Sequence, residues 1–339
     1  MAQQSNGRLR RYIGLVLTLT VVVAGCSSTP FNAAPPTIEA ARPALSPAVS
    51  TAPAGEVTEL RARPTAALFD GRTGYLVAFI PGPEPRLSLF GGRGNKTVAL
   101  PGPATSMTGN GDGVVYLASR GGYFSVELAA GTTARVDVPG ETETDFTALA
   151  RRADGRFVLG SADGTAFTLT ADGRVAERAK IFAHVDAIVT VGDDAVVLDR
   201  GQTSVTALDG RGKAQQALRA GEGATTMTSD AAGRVLVADT RGGQLLVFGV
   251  DPLIERQAYP VPGAPYGLAG SAKLAWISQT ASNVVVGYDL ATGIPVEKVR
   301  YPTVQQPDSL AYDEASNTLY VVSGSGAGVQ VIRNAAGTG

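Results

Sequence analysis

The chain has 339 residues, 44% of them hydrophobic and 17% charged, which is enough for a sizeable core and excludes a disordered polymer. Its formal charge is −1, and one cysteine with one histidine excludes an intramolecular disulfide and the usual zinc sites. The 42 glycines and 20 prolines beside only 6% aromatics suit many short elements joined by tight turns.

Residues 1–25 read as a signal peptide. Arg8, Arg10 and Arg11 supply the positive start, and the apolar stretch from Tyr12 to Ala24 is 13 residues, well short of the roughly 20 that span a bilayer. Val23-Ala24-Gly25-Cys26 resembles the lipobox of bacterial lipoproteins, and the chain's one cysteine falls at the position which that motif requires. The resemblance implies lipid on the Cys26 thiol, cleavage before Cys26, and a chain held on the extracytoplasmic face of a cell membrane. Three of the 29 basic residues leave with the leader and no acidic one does, which takes the formal charge from −1 to −4. No basic run remains, which argues against nucleic acid as a partner.

From residue 26 to 54 the chain carries Pro30, Pro35, Pro36, Pro43, Pro47 and Pro53 among many alanines, with little that builds a core. The expectation is an extended, disordered linker that acts as a stalk, at about 3.1 Å per residue.

After residue 55 the sequence repeats. Each repeat is an apolar run, a Gly/Asp turn, a second apolar run ending in a small or polar residue, a short loop and an alternating third run. Equivalent second-run ends fall at 79, 119, 161, 199, 239, 278 and 323, spaced 40, 42, 38, 40, 39 and 45 residues apart. Runs of four to six residues rich in Val, Leu, Tyr and Thr, divided by turns that need positive φ, are strands joined by hairpins. Four strands per repeat of about 40 residues make a propeller blade, and seven blades close a ring with few free sheet edges. The predicted fold is therefore an all-β, seven-bladed β-propeller over 55–335, with a tail at 336–339. The last repeat runs out after Val329-Gln330-Val331-Ile332-Arg333, its third strand, while Glu56-Val57-Thr58-Glu59-Leu60-Arg61 has no blade of its own. This leading segment is predicted to supply the missing fourth strand and so close the ring.

Asn317-Thr318-Leu319-Tyr320-Val321-Val322-Ser323 and Val284-Val285-Val286-Gly287-Tyr288-Asp289-Leu290-Ala291-Thr292-Gly293 resemble the repeat of YVTN/NHL-type propellers. The resemblance covers roughly 56–335, is clearest in the last three blades, and implies seven blades with mostly binding roles and a few enzymes. The export signal and the Ala/Gly/Arg-rich composition also resemble those of uncharacterised actinobacterial, mycobacterial-like surface lipoproteins. In a propeller of this kind the first strand of each blade lines a central channel. The loops that enter it share a face with the loops between second and third strands. That face would carry Arg120, Asp145, His184, Asp186, Arg200, Arg241, Tyr266 and Asp308 as a candidate binding rim, with Arg63, Pro103 and Gln279 beside them.

His184 and Asp186 are spaced so that a carboxylate can orient an imidazole, but no nucleophile elbow accompanies them. Gly-flanked Asp112, Asp154, Asp163, Asp172 and Asp209 sit on separate hairpins and read as turn formers rather than calcium ligands. No catalytic residue, metal site or cofactor is predicted. The favoured reading is a monomeric, membrane-anchored binding or scaffold module for an envelope protein, peptide or glycan. The alternative is a metal-dependent, lactonase-type hydrolase using Asp145, Asp186 and Asp308 at the channel mouth.

Overall fold

The computed structural model describes residues 36–337 except Arg93. The leader, and with it Val23, Ala24, Gly25 and Cys26, lies outside the described residues. These form seven four-stranded antiparallel sheets arranged as the blades of a propeller. Blade 1 occupies residues 66–99, and blades 2 to 6 occupy 107–137, 146–180, 187–219, 224–260 and 265–302. Blade 7 takes three strands from 307–333 and its fourth from the front of the chain. The second strands end at Ile80, Ser119, Ser161, Asp199, Asp239, Gln279 and Ser323, at or one residue beyond the ends read from the repeat.

Burial follows position in the blade. The second strand of blade 1, Tyr75–Ile80, is buried at every residue, because both faces of its sheet meet a neighbouring blade. The outer strand Val175–Lys180 alternates half-buried and exposed, as a strand with one wet face does. The apolar core divides into clusters that lie between blades. One joins Val77 and Leu89 of blade 1 to Leu117 and Phe124 of blade 2. Another joins Trp276 of blade 6 to Leu319 and Val321 of blade 7.

The closing seam is made as the sequence predicts. Glu56–Thr58 pairs antiparallel with Val329–Arg333, with Val57 opposite Gln330, and is the outermost strand of blade 7. Leu60 follows it into a cluster with Leu76, Ala78 and Ile80 of blade 1 and Val322 and Val329 of blade 7. Gly55 enters this strand at φ +74, where a Cβ would lie 2.2 Å from the Val331 carbonyl oxygen, so glycine is required on both counts. Gln330 is fully buried behind the strand. Its amide donates to the carbonyls of Ala54 (2.7 Å) and Pro302 (3.0 Å) and its oxygen accepts from Val304 N–H (3.0 Å), tying the clasp to blade 6.

Candidate binding rim

The residues that end the second strands anchor the loops of one face. Asp239 is fully buried, and its carboxylate accepts from the backbone N–H groups of Glu222, Gly223 and Gly242 at 2.8–3.0 Å. Asp199 does the same for Ala183, His184 and Gln202. In blades 2 and 7 a hydroxyl takes this place: Ser119 Oγ donates to Pro103 O (2.8 Å) and Ser323 Oγ to Gln305 O (2.6 Å). Each of these four side chains ties the end of a second strand to the loop entering a first strand, and Asp199 and Asp239 also hold the loop that follows them, so the two loop sets hold each other in position. Buried backbone groups in loops need such partners, because no strand ladder satisfies them.

On this scaffold the predicted rim residues fall into local groups. Arg120 pairs with Glu143 and lies 3.5 Å from Asp145. His184 Nδ1 is 3.2 Å from Asp186 Oδ1, a contact without good hydrogen-bond alignment, and Asp186 Oδ2 accepts from Arg200 N–H at 2.8 Å. The Asp186 carboxylate raises the His184 pKa above its ordinary value despite partial burial. Burial pushes the Tyr266 phenol up as well. It also pushes the Asp308 carboxyl up to about 6, partly countered by Gln306 Nε2, which donates to Asp308 Oδ1 at 2.9 Å. Arg241 donates to Glu222 O at 3.1 Å.

The channel below has a volume of about 610 Å³ and is walled by residues of all seven innermost strands, including Leu68, Met107, Leu149, Met227 and Leu310. Asp186, at its rim end, is the one carboxylate among the lining residues. The three carboxylates of the hydrolase alternative, Asp145, Asp186 and Asp308, are held by separate partners. Among the described residues no group of three or more His, Cys, Asp or Glu is placed to hold a metal ion.

The disordered linker expected over 26–54 is corrected for residues 36–54. This stretch has no regular secondary structure, yet it is strapped along the loops of blades 4 to 7. Ile38 N–H donates to Gly201 O (2.8 Å), and Ala54 N–H to Pro302 O (3.0 Å). Arg200 donates to Ala41 O and Arg241 to Glu39 O, so two of the predicted rim arginines are engaged by the chain's own backbone. The Pro/Ala composition rightly forbids a core of its own. What holds the strap is hydrogen bonding to side chains, among them Asn283, Gln305 and Gln306, whose loops lie more than 230 residues further on. Sequence reading missed these amides.

Fold and rim together define a seven-bladed β-propeller whose channel mouth is ringed by ionic and amide side chains. No protein-family profile matches the chain, and neither does any curated protein. Among solved structures it is similar to virginiamycin B lyase from Staphylococcus aureus (12% identity, 82% of this chain and 98% of that one, TM-score 0.66). It is similar to a streptogramin B lyase at 13% identity over 82% of this chain and 97% of the other, with a TM-score of 0.66. A chain of the mitotic checkpoint complex matches at 10% identity, covering 86% and 98%, with a TM-score of 0.69. These likenesses show the fold.

Proposed function

We propose that this protein is a membrane-anchored, extracytoplasmic lipoprotein of YVTN/NHL type, whose propeller binds an envelope protein, peptide or glycan through the rim. The observation that carries the binding role is the rim itself. Ionic side chains from successive blades surround the mouth of a channel whose wall is largely uncharged, and among the described residues no three carboxylates are grouped to hold a metal ion. The fold hosts both kinds of role, since its structural neighbours include lyases and a chain of a multiprotein complex. The lipobox-like Val23-Ala24-Gly25-Cys26 carries the anchoring part of the proposal.

The test is capture from intact envelopes with the full lipidated chain and a short-range cross-linker. Intact rim should enrich a discrete partner, and the double variant Arg120→Ala, His184→Ala should lose at least about three-quarters of that yield. A partner set no different from that of a control bearing only residues 1–54 would count against a binding role.

A further inference from the structure

The strap occupies the face assigned to binding, and the way it is held describes what that face recognises. Arg241 Nη2 donates to Glu39 O (2.7 Å), Arg200 to Ala41 O, Gln306 Nε2 to Ala44 O (2.9 Å), Gln305 Nε2 to Ser46 O (3.1 Å) and Asn283 Nδ2 to Pro47 O (2.9 Å). Five side chains from four loops thus address five main-chain carbonyls. In return, Ser46 N–H donates to Gln306 Oε1 at 3.0 Å.

Of the strap's own side chains, Ser46 Oγ donates to Thr280 O at 2.6 Å, and the others contribute little. Leu45 is 92% exposed and Ile38 45%, while only Ala41, at 7%, is buried. Ala41 packs at Gly223, where an added Cβ would lie 2.9 Å from the alanine methyl. The groove therefore selects an extended backbone with one small residue at its centre and a hydroxyl at the Ser46 position, and is tolerant of the exposed residues such as Leu45. Carbonyl recognition leaves proline acceptable at most positions, as Pro43 and Pro47 show, and proline lowers the entropy lost on docking.

We propose that the rim over blades 4 to 7 is a groove for an extended, proline-bearing peptide, filled in cis by residues 38–47, and that a partner's peptide binds by displacing this strap. The inference rests on the binding role proposed above. A tethered segment acts at an effective concentration of about 1 mM, so if the strap sequence has a dissociation constant near 0.1 mM for the open groove, a competing peptide should bind the strapped protein roughly 10-fold more weakly.

The probe is a fluorescent synthetic peptide of residues 36–48, followed by anisotropy against the full chain. Ala41→Trp does not fit beside Gly223 and should expel the strap, with Ser46→Pro, which removes the bonded N–H, as the second variant. Both should bind the peptide about 10-fold more tightly than the unaltered protein. Adding Arg200→Ala and Arg241→Ala to either variant should abolish the gain. Equal affinity across unaltered and strap-expelled proteins, or binding that survives loss of both arginines, would overturn the proposal. Envelope capture without peptide binding would sink this inference and leave the binding role standing, whereas peptide binding without capture would do the reverse.

Discussion

Deletion of residues 55–62 should lower the melting temperature by about 10 °C or more. The deletion removes the outer strand of blade 7, takes Leu60 from the seam between blades 7 and 1, and leaves the buried Gln330 amide without Ala54 correctly placed. A buried leucine contributes about 2–3 kcal/mol, and each stranded polar group costs about 1–3 kcal/mol. A total near 5 kcal/mol corresponds to roughly 10 °C in a domain of this size. The effect should exceed the local sum, because an open ring exposes two blade edges in place of a seam. A melting point unchanged on deletion would show that the ring closes without its clasp.

Asp239→Ala should be the most damaging single substitution on the rim side, lowering the melting temperature by about 6–10 °C. The carboxylate is fully buried and satisfies three backbone N–H groups from two loops. Their loss leaves donors that the short loops cannot re-pair, at about 1–3 kcal/mol each, with entering water recovering part. Asp239→Asn keeps one acceptor oxygen and should fall about midway. Both variants should also loosen Arg241 and the strap, since Gly223, held by Asp239, forms the floor beneath Ala41. A shift within 1 °C for the alanine variant would remove Asp239 from the account of how the rim is built.

Much of this architecture is legible before any coordinates, and the reason is periodic repetition. One blade phrase recurs seven times, so a boundary blurred in one repeat is corrected by the others. The observed second-strand ends at Ile80 and Gln279 lie one residue beyond the values read from the sequence. The clasp is legible for a related reason: a leftover segment at the front and a missing strand at the back admit one economical pairing. Rim residues such as Arg120 and His184 follow from topology, which puts their loops on one face.

The strap is not legible, because nothing in it repeats and nothing in it is amphipathic. Low hydrophobicity correctly says that residues 36–54 build no core, but docking through carbonyls needs none. Its partners Asn283, Gln305 and Gln306 look like ordinary loop amides, and their role appears only when the ring brings them beside residues 44–47. Asp199 and Asp239 illustrate the same limit. Each reads as the polar end of a strand, and only the fold shows the three N–H groups that converge on it.

The proposed function sets the closed ring at a membrane surface through lipid on Cys26, and subcellular fractionation of Cys26→Ala tests that proposal most directly. The variant should melt at the same temperature as the lipidated protein and move from the membrane pellet to the soluble fraction. Sedimentation of Cys26→Ala with membranes, as much as the unaltered chain, would contradict the lipid anchor.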